Sequence, residues 1–381
     1  MMKNITVEIT GTGTHNRGAE LMAIAIADQV RRARPDATVV VPHKFGADAD
    51  RAYHNFLTTW EAVGRFGLAK TLVLAAAWGM KKNVVSPGSV DVVLDASGFA
   101  FSDQWGAGPA EVLLRKMSRP YRRRQPLILL PQAFGPFEEP AVRSAVKRLA
   151  ARASLIFARD STSYAAIRDL VGPEKVRKCP DFTVAVAPVA DPTIRLPSKF
   201  VAVVPNLRMV DKTQSGAAYL DFLRRAITQI HSRDLAVAFV LHDAEEDRRV
   251  VDMLGQSFHD LPILSHRDPR VLKWILGQSQ FVIGSRFHAL VSSLSQGVPC
   301  VGAGWSHKYP ELFKDFACEE FLIADMADNA SLSAVLNVLC DPTSHARVAR
   351  EVAAASDLIK QRATDMWHEV GQFISHSERS T

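Results

Sequence analysis

A short apolar run, Phe281-Val282-Ile283, stops at Gly284, and the residues after it constrain the chain more than any other stretch. Phe287, Leu290, Val291 and Leu294 recur at helical spacing and give one apolar face. Gly297 ends that helix, Val298-Pro299 turns the chain, and Cys300-Val301-Gly302 starts another strand. A strand, a helix and a strand in so short a span build parallel sheet, because parallel neighbours need a crossover between them.

The same alternation runs through the first half. Ile5, Val7 and Ile9 alternate as a strand that enters the glycine-rich loop Gly11 to Gly18, and Ala19 to Val30 follows as a helix. The glycine spacing there is not that of a dinucleotide fingerprint, since Gly11-x-Gly13 is followed only at Gly18. Thr38 to Val41 is a second strand; helices are expected around Ala52–Trp60 and Leu68–Gly79, and Val90 to Leu94 is a buried strand. Leu127 to Leu130, Leu155 to Ala158 and Val176 to Cys179 continue the series, with Ser161 expected to cap a helix from Thr162. Strands alternating with helices at this rhythm predict a doubly wound α/β fold.

At 381 residues the chain exceeds what one core usually holds, so two domains are expected. The proline-spaced stretch from Val184 to Pro197 supplies the boundary. The reading is a first domain over 1–187, a second over 188–345, and a helical segment over 346–381 that packs back on the first. In the second domain Phe200 to Val204 delivers Pro205-Asn206-Leu207-Arg208, and Leu235 to Leu241 ends at His242-Asp243. Helices are expected at Tyr219–Arg233, Ala330–Leu339 and Arg347–Phe373.

Composition sets the setting. Four cysteines far apart carry no metal-ligand spacing, which argues for reduced thiols and a cytoplasmic protein and predicts no metal. The N-terminal residues do not read as a signal peptide, and the longest apolar run, Leu68 to Met80, is too short to span a bilayer. A net charge of +6 suggests anionic partners. Arg115, Lys116, Arg119, Arg122, Arg123 and Arg124 form the densest basic patch. A solvated helix end explains it as well as peripheral docking on an anionic membrane does. With Tyr121 its one aromatic, the patch argues against nucleic acid.

The chemistry gathers at strand ends. Ser285 is placed to cap the helix after Gly284, and the first-turn N–H groups of such a helix favour an anion. Arg286 adds a fork suited to carboxylate or phosphate, and His288 adds a group that titrates near neutrality. Arg208 and His242 end neighbouring strands, and Trp305-Ser306-His307-Lys308-Tyr309 adds a cation and aromatic surface. Asp95 to Gly106, just past a strand, contains two aspartates and aromatics where open α/β sheets build ligand sites.

Six motifs in order carry a resemblance. They are Asn16-Arg17-Gly18-Ala19-Glu20, Pro131-Gln132-x-x-Gly135-Pro136-Phe137, Arg159-Asp160-x-x-Ser163-Tyr164, Pro180-Asp181, Leu207-Arg208 and Ser285-Arg286-Phe287-His288-Ala289. With Ser295-Gln296-Gly297-Val298-Pro299 behind the last, the chain resembles the polysaccharide pyruvyl transferase family over roughly residues 5–340. One departure stands out: Ala19 replaces the acidic residue that usually precedes Glu20.

The resemblance implies a GT-B-like fold, two Rossmann-type doubly wound parallel-sheet domains facing a cleft. It implies transfer of a pyruvyl group from phosphoenolpyruvate to two hydroxyls of one sugar, free or lipid-linked, with release of phosphate and no cofactor. His288 and Arg286 are then the expected catalytic residues. Arg208, Arg286, Ser285, Lys308 and His242 would hold the donor, with Asn16, Glu20, His15, Asp103 and Gln132 on the acceptor side. Competing readings are a nucleotide-sugar glycosyltransferase or epimerase on the same fold, and a non-catalytic protein that binds carbohydrate or a lipid carrier.

Overall fold

The computed structural model describes residues 4–60, 83–211, 216–304 and 308–375. The helix expected at 68–79 and the aromatic stretch at 305–307 lie outside these residues. The chain forms two compact units. One holds the residues up to His15, Met22–Phe182 and those from Arg362 onward; the other holds Asn16–Leu21 and Thr183–Gln361.

The first unit is an all-parallel sheet of eight described strands: β1 (Thr6–Thr10), β2 (Thr38–Pro42), β3 (Leu57–Thr59), β4 (Val84–Val85), β5 (Val92–Asp95), β6 (Leu127–Gln132), β7 (Leu155–Ala158) and β8 (Val176–Lys178). Their order, β4-β3-β2-β1-β5-β6-β7-β8, reverses direction between β1 and β5. The central strands are buried on both faces, which is why β5 and β6 read as continuous apolar runs. A doubly wound sheet places ligands at the reversal, beyond the carboxyl ends of the strands. The loops after β1 and β5 meet there. Gly11, at φ 80°, lies so close to Ser97 that a Cβ would approach its Oγ to 2.3 Å.

The face of β1 opposite Val7 and Ile9 carries Glu8, which is fully buried. It accepts from Lys116 Nζ at 3.0 Å, from Arg122 Nη1 at 2.7 Å and from the Thr59 hydroxyl. Burial by itself pushes the carboxyl up, yet Lys116, Arg122 and Thr59 together hold it down at about 2. This corrects the basic-patch reading. Lys116 and Arg122 point inward to Glu8, and Arg119 is half-buried, leaving Arg115, Arg123 and Arg124 exposed. Among the described residues no helix is long and apolar enough to cross a membrane.

Two local expectations fail for visible reasons. The helix expected over Ala52–Trp60 is instead Asp48–Tyr53, followed by strand β3 paired to β2. Asn55 at φ 54° ends it, and the β-branched Thr58 and Thr59 then extend. The cap of the helix Ser161–Val171 is Asp160, whose Oδ1 accepts from Ser163 N at 2.7 Å, so Ser161 lies inside the helix.

The second unit is a parallel sheet of six described strands: β9 (Phe200–Val204), β10 (Ala236–Leu241), β11 (Ile263–Ser265), β12 (Val282–Gly284), β13 (Cys300–Ala303) and β14 (Leu322–Ile323). The order β11-β10-β9-β12-β13-β14 reverses between β9 and β12. The helix Phe287–Leu294 crosses from β12 to β13 with its apolar residues buried. The final helix, Pro342–Ser375, starts earlier than its apolar spacing suggests, because Asp341 Oδ2 accepts from Ser344 N at 2.8 Å. In the second unit Ser356 donates to the Ser295 carbonyl at 2.9 Å. In the first, Trp367 meets Phe182 edge-on, ring centres 5.7 Å apart.

Candidate active site

The reversal point of the second sheet collects the charged side chains. Arg208 follows β9, His242 follows β10, Ser285, Arg286 and His288 follow β12, and Lys308 opens the helix after β13. These four strands are contiguous in the sheet, so their carboxyl ends bring six residues far apart in sequence to one edge.

Ser285 is the scaffold of this edge. It is fully buried, and its carbonyl accepts from Asn206 Nδ2 at 2.9 Å and Tyr309 Oη at 2.7 Å. Its hydroxyl shares a hydrogen bond with Tyr219 Oη at 2.8 Å, and burial pushes that phenol's pKa up. The expected cap therefore does not form. Arg286 occupies the N-cap position without a side-chain cap, and the Ala289 and Leu290 N–H groups turn back to its carbonyl. Ser285 acts by fixing the backbone from which Arg286 departs, because three side chains from elsewhere in the unit hold it.

Arg286 is nearly buried and bound by acids. Its Nε donates to Asp247 Oδ1 at 3.1 Å, and Nη2 reaches the same oxygen. Burial works against the guanidinium charge, but Asp247, Asp243 and Glu246 more than offset it and raise its pKa. Asp247, fully buried, uses Oδ2 to accept from the His242 and Asp243 N–H groups at 3.0 and 2.9 Å. One carboxylate thus ties the end of β10 to the arginine after β12. Arg208 is half-exposed; its Nη2 lies 3.2 Å from Glu246 Oε1. Lys308 Nζ sits 5.3 Å from the centre of the Phe287 ring and 5.4 Å from that of Tyr309.

His242 is 7% exposed, and its Nε2 is buried with no hydrogen-bond partner among the described residues. Burial, then the charges of Arg286, His288 and Arg17, push its pKa down to about 3, so it is neutral across the physiological range. His288 is half-buried, set edge-on to Phe287 with ring centres 5.5 Å apart. The Asn16–Leu21 segment belongs with this unit, and Gly18 lies against His288. A Cβ at Gly18 would come within 2.3 Å of His288 Nδ1, so glycine permits the approach. Asn16 Oδ1 accepts from Gly18 N at 2.8 Å, and the buried Glu20 is paired with Arg17. Both are spent on holding this turn beside His288.

The remaining expected acceptor residues lie in the first unit and separate there. His15 is exposed on the loop after β1. Asp103 accepts from the Glu138 and Glu139 N–H groups at 2.8 and 3.3 Å, which makes it a tie for the approach to the helix Pro140–Arg152. Gln132, fully buried at the end of β6, donates from Nε2 to Asp95 Oδ1 at 3.2 Å, and its Oε1 has no partner among the described residues. Of the two aspartates in the stretch Asp95 to Gly106, Asp95 rather than Asp103 is the one beside Gln132. It ends β5 beside the reversal point and accepts from Ser97 N at 3.3 Å and Ser97 Oγ at 3.0 Å. Burial raises it to about 6 against those hydrogen bonds.

Because the folded pKa of Asp95 lies above its ordinary 3.8, folding favours the protonated form. That contribution is present below pH 4 and lost as pH rises through about 6, at a cost of ~3 kcal/mol by neutrality. Asp95→Asn should therefore raise stability at pH 7.5 by ~1–3 kcal/mol, with Gln132 turning its amide to offer Oε1 to the new NH2. Urea unfolding at pH 5 and pH 7.5 measures it; a variant less stable than wild type at pH 7.5 contradicts this account.

Among the described residues no group of three or more His, Cys, Asp or Glu is arranged to hold a metal ion.

Comparison with solved structures defines the class of fold. The S. aureus MnaA–UDP structure matches with a TM-score of 0.62 at 13% identity, covering 98% of this chain and 97% of that one. A putative UDP-N-acetylglucosamine 2-epimerase from Listeria monocytogenes matches at 0.62 and 13%, covering 99% and 98%. Anabaena Alr3699/HepE with UDP and glucose matches at 0.58 and 13%, covering 98% and 100%. At such identities the likeness speaks for fold alone, and the fold is GT-B-like, with two Rossmann-type doubly wound units.

Within that class, the chain belongs to the polysaccharide pyruvyl transferase family, whose sequence model matches residues 16–307. This is a family of transferases. No curated protein matches the chain.

Proposed function

We propose that this protein transfers the pyruvyl group of phosphoenolpyruvate to two hydroxyls of a sugar in a polysaccharide or its precursor. The observation that carries this is the pair Arg208 and Arg286, one following each strand that flanks the reversal point, with His288 two residues beyond Arg286. Phosphoenolpyruvate carries a carboxylate and a phosphate on three carbons, and two guanidinium forks with the Lys308 ammonium suit that charge. A neutral His242 can donate a hydrogen bond to such an anion without adding charge.

The reaction then follows from proton positions. His288, as imidazolium, protonates the methylene carbon, which turns C2 electrophilic. One sugar hydroxyl adds to C2 and loses its proton, phosphate departs, and the second hydroxyl closes the ketal. One hydroxyl proton ends on the new methyl group and the other on phosphate, so the histidine is restored. Arg286 balances the donor's charge throughout.

Incubation with phosphoenolpyruvate and a panel of free, nucleotide-linked and lipid-linked sugars tests the proposal, followed by phosphate release and product mass. The expected product is the sugar plus a pyruvate ketal. Release of a nucleoside diphosphate without consumption of phosphoenolpyruvate would instead assign the fold's nucleotide-sugar chemistry. Arg286→Lys should lower turnover about 10²-fold, because an ammonium cannot reproduce the Nε and Nη2 contacts that orient the group. Steady-state kinetics of that variant checks the donor role: near-normal turnover removes it.

A further inference from the structure

Glu246 occupies an unusual place among the acids of the helix Ala244–Leu254. Its Oε1 lies 3.2 Å from Arg208 Nη2, and its Oε2 lies 3.5 Å from Arg286 Nη2. One carboxylate therefore spans the two arginines that follow β9 and β12, with an oxygen on each. Asp247 sits differently: fully buried, it holds Arg286 from behind and fastens the end of β10 with its second oxygen. Glu246 is about one-third exposed and hydrogen-bonded by its own N–H to the Asp243 carboxylate at 2.9 Å. Its side chain has room to leave while its backbone stays.

We propose that Glu246 is an internal stand-in for a donor carboxylate or phosphate, bridging Arg208 and Arg286 until the anion displaces it. This rests on the donor-site reading above and adds a residue that sets donor affinity. Two guanidinium groups brought to one edge repel each other, and a carboxylate between them keeps both forks preorganised. An incoming dianion must compete with that carboxylate, so the glutamate weakens binding in proportion to the ion pairs it gives up. Giving up a half-exposed pair of this kind changes an affinity by about fivefold. A purely structural role for Glu246, holding Arg208 in place, predicts the opposite sign.

The test is titration of wild type, Glu246→Gln and Glu246→Ala with phosphoenolpyruvate and, separately, inorganic phosphate, at low and high salt. Thermal melts run beside the titrations as a check on folding. Both variants should bind both anions about five- to tenfold more tightly than wild type, with the gain shrinking at high salt. In turnover assays the same gain should appear as a lower KM for phosphoenolpyruvate. Unchanged or weaker anion binding by folded variants overturns the proposal. Tighter phosphate binding by variants of a protein that consumes no phosphoenolpyruvate with any sugar keeps the stand-in role and overturns pyruvyl transfer. Binding of neither anion by any of the three overturns both.

Discussion

His288→Ala should lower phosphate release from phosphoenolpyruvate by about 10²–10⁴-fold, the range a positioned acid–base group contributes. Under the proposed reading the arginines and not the imidazole hold the anion, so the donor's KM should change little. The fold should survive. His288 is half-buried at the start of the helix Phe287–Leu294, whose packing residues Phe287, Leu290, Val291 and Leu294 stay in place. Removal of the ring opens space over Gly18 and gives up one edge-on contact with Phe287. His242 cannot take over as acid, since its burial and the charges of Arg286 and Arg17, all of which the variant keeps, push its pKa down. Phosphate release and thermal melting on the same preparation decide the matter. Turnover near the wild-type rate in a folded variant would remove His288 from the mechanism.

The gathering of Arg208, His242, Arg286 and His288 at one sheet edge was legible because its signals are local. A strand that ends in glycine, followed by a helix with one apolar face, fixes where Arg286 and His288 emerge. Equivalent strand ends before Arg208 and His242 place those residues beside it once parallel order is assumed. What stayed hidden depends on partners far along the chain. Ser285 looks like a cap until Asn206, Tyr219 and Tyr309 take its carbonyl and hydroxyl. Asp247 and Glu246 have a sufficient local explanation, acids in a helix's first turn, and nothing nearby announces that they face two arginines.

The residues of the first unit expected to face an acceptor were harder to read for the same reason. Asp103 and Asp95 stand in one loop-rich stretch, and only the fold shows that backbone N–H groups occupy the first. The second ends a fully buried strand beside Gln132. Charge on an isolated strand or helix reads by default as solvated, so Arg122 reads as part of a surface patch and nothing near Glu8 announces a buried carboxylate. They lie 114 positions apart and meet in the core.

That meeting carries the largest expected effect on stability. Glu8→Gln should destabilise the protein by ~3–5 kcal/mol, because Lys116 and Arg122 remain buried without the carboxylate that compensates them. The pH dependence follows from the sign of the shift. The folded pKa of about 2 lies below the ordinary 4.5, so Glu8 contributes its stabilisation above pH 4.5 and loses it as pH falls toward 2. Wild type should therefore lose ~3 kcal/mol across that window from this group, and the variant should not. A triple replacement, Glu8→Met with Lys116→Met and Arg122→Met, separates charge pairing from packing. It should recover to within ~1–2 kcal/mol of wild type, since a buried ion cluster costs about as much to desolvate as it returns. Urea midpoints for the three proteins measure this; an unchanged midpoint in Glu8→Gln would refute the account. The same variant reports on the reversal point of the first sheet, because β1 pairs with β5 and Glu8 stands opposite Val93, two residues before Asp95. Loosening that pair frees the backbone that carries Asp95 and Ser97, so amide hydrogen exchange along β1 and β5 should quicken at temperatures below the melting transition.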